Sequence, residues 1–411
     1  MNKINTIVMV LVLSIASTPL AARSGAGAIN MVFNTSVRAA GMGDAGVAVT
    51  EGFDTNHWAN PALLAFRPGV HYTKFESQLA LGFAEDIWLN NEEVTLGYGG
   101  VTLLWARGPL DGNFLAMGEQ MAIDEYGQVI GTFETYNKSE SWGVGVDGVQ
   151  VLERLMDRSP GDLSRYLSLA GGVTFHDFEG KLGHEDAVPG WDGTGGATAR
   201  SEGFVIRVTP LDATRGRGLL DNGLLGLRVT GSYGKSILNK TNDFIVYIEV
   251  DQGDPMPRLY LDGWAANAQI TLADDLRLEL NDKGLGFLGD MINPLVSVTR
   301  TEQTNDPGYF WNQDLGAYEY GHDTSGDYEE KGRGLEIGLL NMFFWREGHT
   351  TALYGDIDAD TEGGGFRIQA GRLGGFRKDW ADVPQASGLP DVRRESWAVW
   401  VDPFAIMETL K

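Results

Sequence analysis

Past an apolar run from Ile7 to Ala16, no part of this 411-residue chain supplies 18 consecutive apolar residues, so it cannot cross a membrane with a helix. The run follows Lys3 and gives way to small residues at Ala21 and Ala22, the layout of a secretory signal peptide over residues 1–22. A retained anchor is the alternative, though the run is short for one. An exported chain without helical spans can enter a bilayer only as a closed β-barrel, where every backbone polar group finds a partner.

The test of that expectation is a period of two. Leu225, Leu227, Val229, Gly231 and Tyr233 fall on one face of a strand, and Gly226, Arg228, Thr230 and Ser232 on the other. The split recurs as Phe204, Ile206 and Val208 against Val205, Arg207 and Thr209, and as Phe366, Ile368 and Ala370 against Arg367, Gln369 and Gly371. Further strand candidates are Trp142 to Val146, Phe244 to Val250, Trp264 to Ile270, Leu335 to Leu339 and Trp397 to Val401. Turn-rich or acidic stretches at Pro189 to Gly196, Asp251 to Arg258 and Asn305 to Asp327 separate them. Gly148 to Met156 and Gly286 to Ile292 read equally as short helices or loops. A periplasmic sandwich or propeller would alternate too, so the pattern alone leaves both open.

Composition suits the barrel. Its mean hydropathy of -0.17 is what alternating lipid-facing and lumen-facing positions produce. The 56 glycines supply turns, and 11 Trp, 13 Tyr and 18 Phe supply interfacial aromatics. With no cysteine there is no disulfide framework, and a net charge of -24 excludes a nucleic-acid partner. Spans of about ten residues with their turns and loops give about 14 strands for this length.

The run Ser36-Val37-Arg38-Ala39-Ala40-Gly41-Met42-Gly43, then Ala45 to Val49, then His57-Trp58-Ala59-Asn60-Pro61-Ala62, resembles the N-terminal signature of FadL/TodX-like outer-membrane transport proteins. It is most similar to their PorV/PorQ branch, with Asp44 and Leu63 standing where that pattern has glycine. The resemblance implies a hatch over residues 23–66, carried by Gly41, Gly43, Asn60 and Pro61, that fills the lumen of an all-β barrel over 67–404, with a tail at 405–411. Small residues let one backbone approach another, Pro61 fixes the exit of the segment, and Asn60 can satisfy main-chain groups. The bland alternative is an ordinary tight turn followed by an ordinary helix start. Pro384 to Pro390 ahead of Trp397 has the look of a last hairpin, and its strand is expected to end at Phe404 before the tail.

Sites for chemistry are few. Asp356, Asp358 and Asp360 with Glu362 could offer hard oxygens to Ca²⁺ from a loop, but the run lacks the glycine and glutamate of an EF-hand, and a solvated acidic hairpin loop is the simpler reading. The six histidines, His57, His71, His176, His184, His322 and His349, show no metal spacing, and no nucleophile elbow is present, so no enzyme is expected. Gly332-Arg333-Gly334 and Gly363 to Gly365 lack a following Lys-Ser/Thr and read as strand glycine. Alternation turns Arg207, Arg228 and Arg367 to the lumen, where they would pair with hatch carboxylates such as Asp44 or steer an anionic head group.

A plugged barrel excludes bulk diffusion, so a solute would need an internal site or a lateral opening. The PorV/PorQ side of the resemblance implies a component of protein secretion, with secretion-system proteins or exported substrates as partners. The FadL side implies transport of hydrophobic small molecules. A structural envelope barrel without transport is the third expectation, and outer-membrane lipid is a partner in all three.

Overall fold

The computed structural model describes residues 27–409 except 32, 53, 80–85, 124–127, 160, 184–192, 215–223, 248–252, 274–275, 277–288, 290, 313–316, 321–328, 353–356, 372 and 385–389. The signal-peptide reading therefore lies outside the described residues, as do four of the seven residues from Gly286 to Ile292.

One sheet closes on itself. In chain order its strands are β1 (Gly69–Gln78), β2 (Ile87–Tyr98), β3 (Val101–Ala106), β4 (Asn113–Ile123), β5 (Val129–Asp147), β6 (Leu167–Lys181), β7 (Thr194–Asp212) and β8 (Leu225–Lys240). After a small hairpin of β9 (Phe244–Ile245) and β10 (Asp254–Pro255) come β11 (Leu259–Leu272) and β12 (Val296–Pro307). A second hairpin, β13 (Tyr309–Asn312) with β14 (Ala317–Tyr320), precedes β15 (Glu330–Leu339), β16 (Phe343–Ala352), β17 (Ile357–Gln369), β18 (Gly374–Val383) and β19 (Val392–Val401). Every pairing is antiparallel, and β1 pairs with both β2 and β19, which closes the ring.

The barrel has 14 strand positions, because β3 and β4 share one. Against β5, Ala106 faces Ser141 and Asn113 faces Ser139, so residues 107–112 leave the wall while only Glu140 spans the gap. Two nearby positions mark the excursion, the cis bond at Gly108-Pro109 and the positive φ of Gly112.

The wall is polar inside and apolar outside. Exposed residues include Leu96 and Tyr98 on β2, Leu103 and Trp105 on β3, Phe204, Ile206 and Val208 on β7, Phe343 and Trp345 on β16, and Val399 and Val401 on β19. Buried ones include Glu93, Thr95, Thr102, Glu336, Arg346, Arg377 and Asp379. Water would punish such an arrangement, whereas lipid outside and a polar filling inside reward it. The apolar belt sits toward the end where β1 begins and β19 finishes. Along β19 the outward series runs Val401, Val399, Trp397 and then Glu395 and Arg393.

The filling is the chain's own beginning. Residues 27–31 reach the far, loop end, where the Gly27 N–H donates to the Pro255 carbonyl and Ala28 packs with Phe178, Ile245 and Met256. The segment then passes through the lumen by way of α1 (Val37–Ala40), capped by the Ser36 hydroxyl. It leaves at the opposite end through a 3-10 helix, Pro61–Phe66, that packs on Ala170 and Val205.

One open local reading is decided and two expectations need correction. Gly148 to Met156 contains a helix, α2 (Gly148–Leu155), because Asp147 accepts from the Val149 and Gln150 N–H groups and caps it. The last strand ends at Val401, not Phe404, since the Asp402 carboxylate caps α3 (Pro403–Thr409) through the Phe404 and Ala405 N–H groups. Asn305 to Asp327 is not all turn: β12 runs on to Pro307, and β13 with β14 follows.

Candidate functional site

The hatch has little secondary structure, so its backbone groups need partners elsewhere, and the wall provides them. The Gln303 side-chain oxygen accepts from the Gly46 and Val47 N–H groups at 2.8 and 2.7 Å, and the Thr361 hydroxyl accepts from Gly43 at 3.0 Å. Ser232 and Ser236 donate to the carbonyls of Ala48 and Ala59 at 2.6 and 2.5 Å. Asn60 does most: its amide nitrogen donates to the carbonyls of Val47 (2.9 Å) and Phe204 (3.1 Å), while its oxygen caps the 3-10 helix at the Ala62 N–H (3.1 Å). Pro61 follows as the first helical residue, where its missing N–H costs nothing.

The glycines form the contact surface. Gly43 has φ +68°, and a Cβ there would strike the His349 and Arg333 main chains. Facing it, a Cβ on Gly348 would strike the Gly43 nitrogen, one on Gly332 its carbonyl oxygen, and one on Gly334 the Met42 backbone. Gly41 meets Gly363 in the same way, 3.2 Å from where its Cβ would stand. The wall glycines that read as ordinary strand glycine are thus a stripe on which the hatch backbone lies. Asp44 stands where the resembled pattern has glycine and adopts φ +61°, a conformation that aspartate tolerates better than most residues.

Two buried charge networks bind hatch to wall. In the first, Arg38 pairs with Glu336 (2.6 Å), Glu336 with Arg346 (2.7 Å), Arg346 with Asp379 (2.8 Å), Asp379 with Arg377, and Arg377 with Asp54 of the hatch. Arg38 also donates to the Asp54 carbonyl at 3.3 Å, so the chain of contacts returns to its start. Three guanidinium groups and three carboxylates balance, which is what charges out of water require. Burial pushes the Asp54 carboxyl up, but Arg377, with Arg67 and Arg38 behind it, outweighs burial and holds it below the ordinary value of 3.8.

In the second network, Glu93 of β2 accepts from Arg67 (2.7 Å), from Trp58 Nε1 (2.7 Å) and from His57 Nε2 (2.9 Å). His57 Nδ1 lies 3.0 Å from the Arg67 guanidinium and 3.2 Å from the Thr55 carbonyl, so the ring is held from both sides.

Between the hatch and the loop end lies a cavity of about 100 Å³. Met31, Phe33, Trp58, Leu238, Leu259 and Leu261 give it an apolar side. Asn113, Ser139, His176, Ser201 and Asn239 form a polar side, with His176 fixed between Ser141 (2.7 Å) and Ser201 (2.9 Å). Asn113 and Ser139 stand at the foot of the 107–112 excursion.

The residues singled out from sequence divide accordingly. Gly41, Gly43, Asn60 and Pro61 all lie in the hatch–wall contact. Arg207 reaches hatch carboxylate Glu51 at 3.8 Å and stacks over Phe66, while Arg367 donates to the Asn341 carbonyl and stacks over Phe344. Arg228 lies near enough to Arg207 and Asp212 to act on both electrostatically. Asp44 meets Arg394, at 3.8 Å, instead of any of these three.

Asp356 lies outside the described residues. Asp358 and Asp360 stand on the outer face of β17, not in a loop, and flank His349 at 3.0 and 2.8 Å. Among the described residues no three His, Asp or Glu side chains are placed to hold a metal. Sequence reading missed Arg38, Asp54, Glu93, Glu336, Arg346, Arg377 and Asp379; charged residues on the inward face of otherwise apolar strands were the available signal.

No protein-family model and no curated protein matches the chain. Among solved structures it is similar to a Pseudomonas aeruginosa FadL homologue (9% identity, TM-score 0.39, covering 90% of this chain and 99% of that one). It is also similar to the CymD monoaromatic hydrocarbon channel (10%, 0.36, 89% and 96%) and to the Pseudomonas putida toluene transporter TodX (11%, 0.31, 91% and 96%). At these values the likeness adds nothing to what the strand pairing already shows.

Proposed function

We propose that this chain is an outer-membrane channel for small hydrophobic molecules, with the cavity as the point of capture and the hatch as the barrier behind it. The observation that carries this reading is the cavity itself, a partly apolar space inside a barrel whose lumen also holds the hatch and its charge pairs. Its apolar side gives a small, mostly apolar solute a place to lie, beside a lining that also includes the charged Asp44, Glu330 and Arg394. A structural barrel packed shut would leave no such space beside its hatch. The secretion role would act through outer loops, and 12 of the 22 residues between β12 and β15 lie outside the described residues.

The test is uptake of labelled toluene by proteoliposomes carrying the wild type or Leu261→Trp, which fills the apolar side. The wild type should equilibrate toluene faster than protein-free vesicles, and L261W should lose most of that gain. Equal rates in all three would sink the proposal. Recovery of secretion proteins from a mild-detergent pull-down, with no toluene uptake, would favour the secretion reading.

A further inference from the structure

Helix α2 joins β5 to β6 at the end of the barrel where the apolar belt lies, and it is built inside out. Its carboxylate Glu153 is 1% exposed, while Leu152, Leu155 and Met156 are 48%, 78% and 51% exposed. Positions 152, 155 and 156 follow the i, i+3, i+4 spacing of one helix face, so the exposed side chains form a stripe.

The docked face carries Val149 and, one turn on, Glu153. Glu153 accepts from the Gly161, Leu163 and Ser164 N–H groups and from the Ser164 hydroxyl, which fixes the chain that follows the helix. Arg154 stacks on Tyr98, its guanidinium carbon 4.2 Å from the ring centroid, and Phe404 of α3 packs on the same ring at 4.1 Å. Held in this way, the helix cannot roll its leucines inward without breaking the Glu153 contacts.

What covers the stripe is settled by its neighbours. Val146 at the end of β5, Leu167 and Leu169 at the start of β6, Val101 on β3 and Tyr98 on β2 are all exposed and belong to the lipid-facing belt. The stripe continues that belt past the last rung of the strands.

We propose that α2 is a membrane-surface anchor whose Leu152, Leu155 and Met156 enter the lipid leaflet at the end of the barrel where β1 begins and β19 ends. A helix with one apolar and one polar face lies in the plane of the interface, its apolar side about 5–10 Å into the boundary of headgroups and chains. Anchored through Glu153 and Arg154 to the rim, it sets how deeply the barrel sits on the β5–β6 side.

The chain has no native cysteine, so Leu155→Cys carries a single nitroxide label. The labelled barrel is reconstituted in phosphatidylethanolamine/phosphatidylglycerol vesicles, with Leu169→Cys as the lipid-facing reference and Met156→Cys as a second site should L155C fail to fold. Collision with oxygen should exceed collision with a water-soluble nickel chelate, in a ratio within about threefold of that at position 169. A ratio favouring the nickel chelate overturns the proposal. So does spin–spin broadening, which would place a second copy of the chain on the stripe.

Discussion

The Arg38 guanidinium of the hatch donates to both carboxylate oxygens of Glu336 on β15, at 2.6 and 3.0 Å across 298 residues of sequence. Glu336 also accepts from Arg346, so its removal leaves two cations facing each other out of water. Glu336→Leu should therefore cost about 3–5 kcal/mol. Adding Arg38→Met should restore part of that loss, because Arg346 keeps Asp379. Urea unfolding in micelles, followed by the gel shift between folded and heated forms, measures both. A double variant no more stable than the single would show that the pairing is not what holds the hatch.

Glycine contacts make a sharper distinction. A Cβ at Gly348 would collide with the Gly43 backbone nitrogen, whereas one at Gly231 would meet nothing within 4 Å. Gly348→Ala should push the hatch from the wall, while Gly231→Ala should leave it in place. Ala48 lies fully buried in the hatch, so Ala48→Cys reports release through thiol labelling. Labelling should be fast with G348A and slow with G231A. Equal rates would mean that the close approach at Gly43 is not needed for docking.

Much of the wall was legible because lipid on one side and a filled lumen on the other impose a strict alternation. The Phe204-to-Thr209 and Leu225-to-Tyr233 series alternate as read from sequence. Asp358, Asp360 and Glu362 were misleading for a physical reason. They alternate with Ile357, Ala359, Thr361 and Gly363, which is a strand period, but above the apolar belt the outward positions are charged and resemble a loop.

The division of one strand position between β3 and β4 had a local sign in Gly108-Pro109 and Gly112, yet nothing there showed that Asn113 would resume the same place in the wall. Inward charges left a signal on the strands, but which of them pair could not be read. Arg377 and Asp54 lie 323 residues apart, and only the closed ring brings them together.

Asn60 serves two carbonyls and one N–H through a single amide, and leucine could serve none of them. Asn60→Leu should cost about 2–4 kcal/mol, the loss of a helix cap plus two buried carbonyls left without partners. Asn60→Asp keeps the cap but loses both donors, so it should fall between leucine and the wild type. The same unfolding assay ranks the three. Aspartate as stable as asparagine would show that the bonds to Val47 and Phe204 contribute little.

Acid should loosen the hatch through Asp54. Its carboxyl is held below the ordinary 3.8 in the folded chain, so its contribution is fully present above that value and is lost as pH falls through the lower, folded one. Asp54→Asn should remove this part of the acid sensitivity and also leave Arg377 with Asp379 as its remaining carboxylate contact, so the variant starts less stable at neutral pH. Reactivity of the Ala48→Cys thiol toward dithiodipyridine, which reacts in acid, follows release from pH 7 downward. The wild type should gain reactivity below pH 3.8, with D54N showing faster reaction at pH 7 and a smaller rise in acid. Parallel curves for the two, offset or not, would remove Asp54 from the acid response.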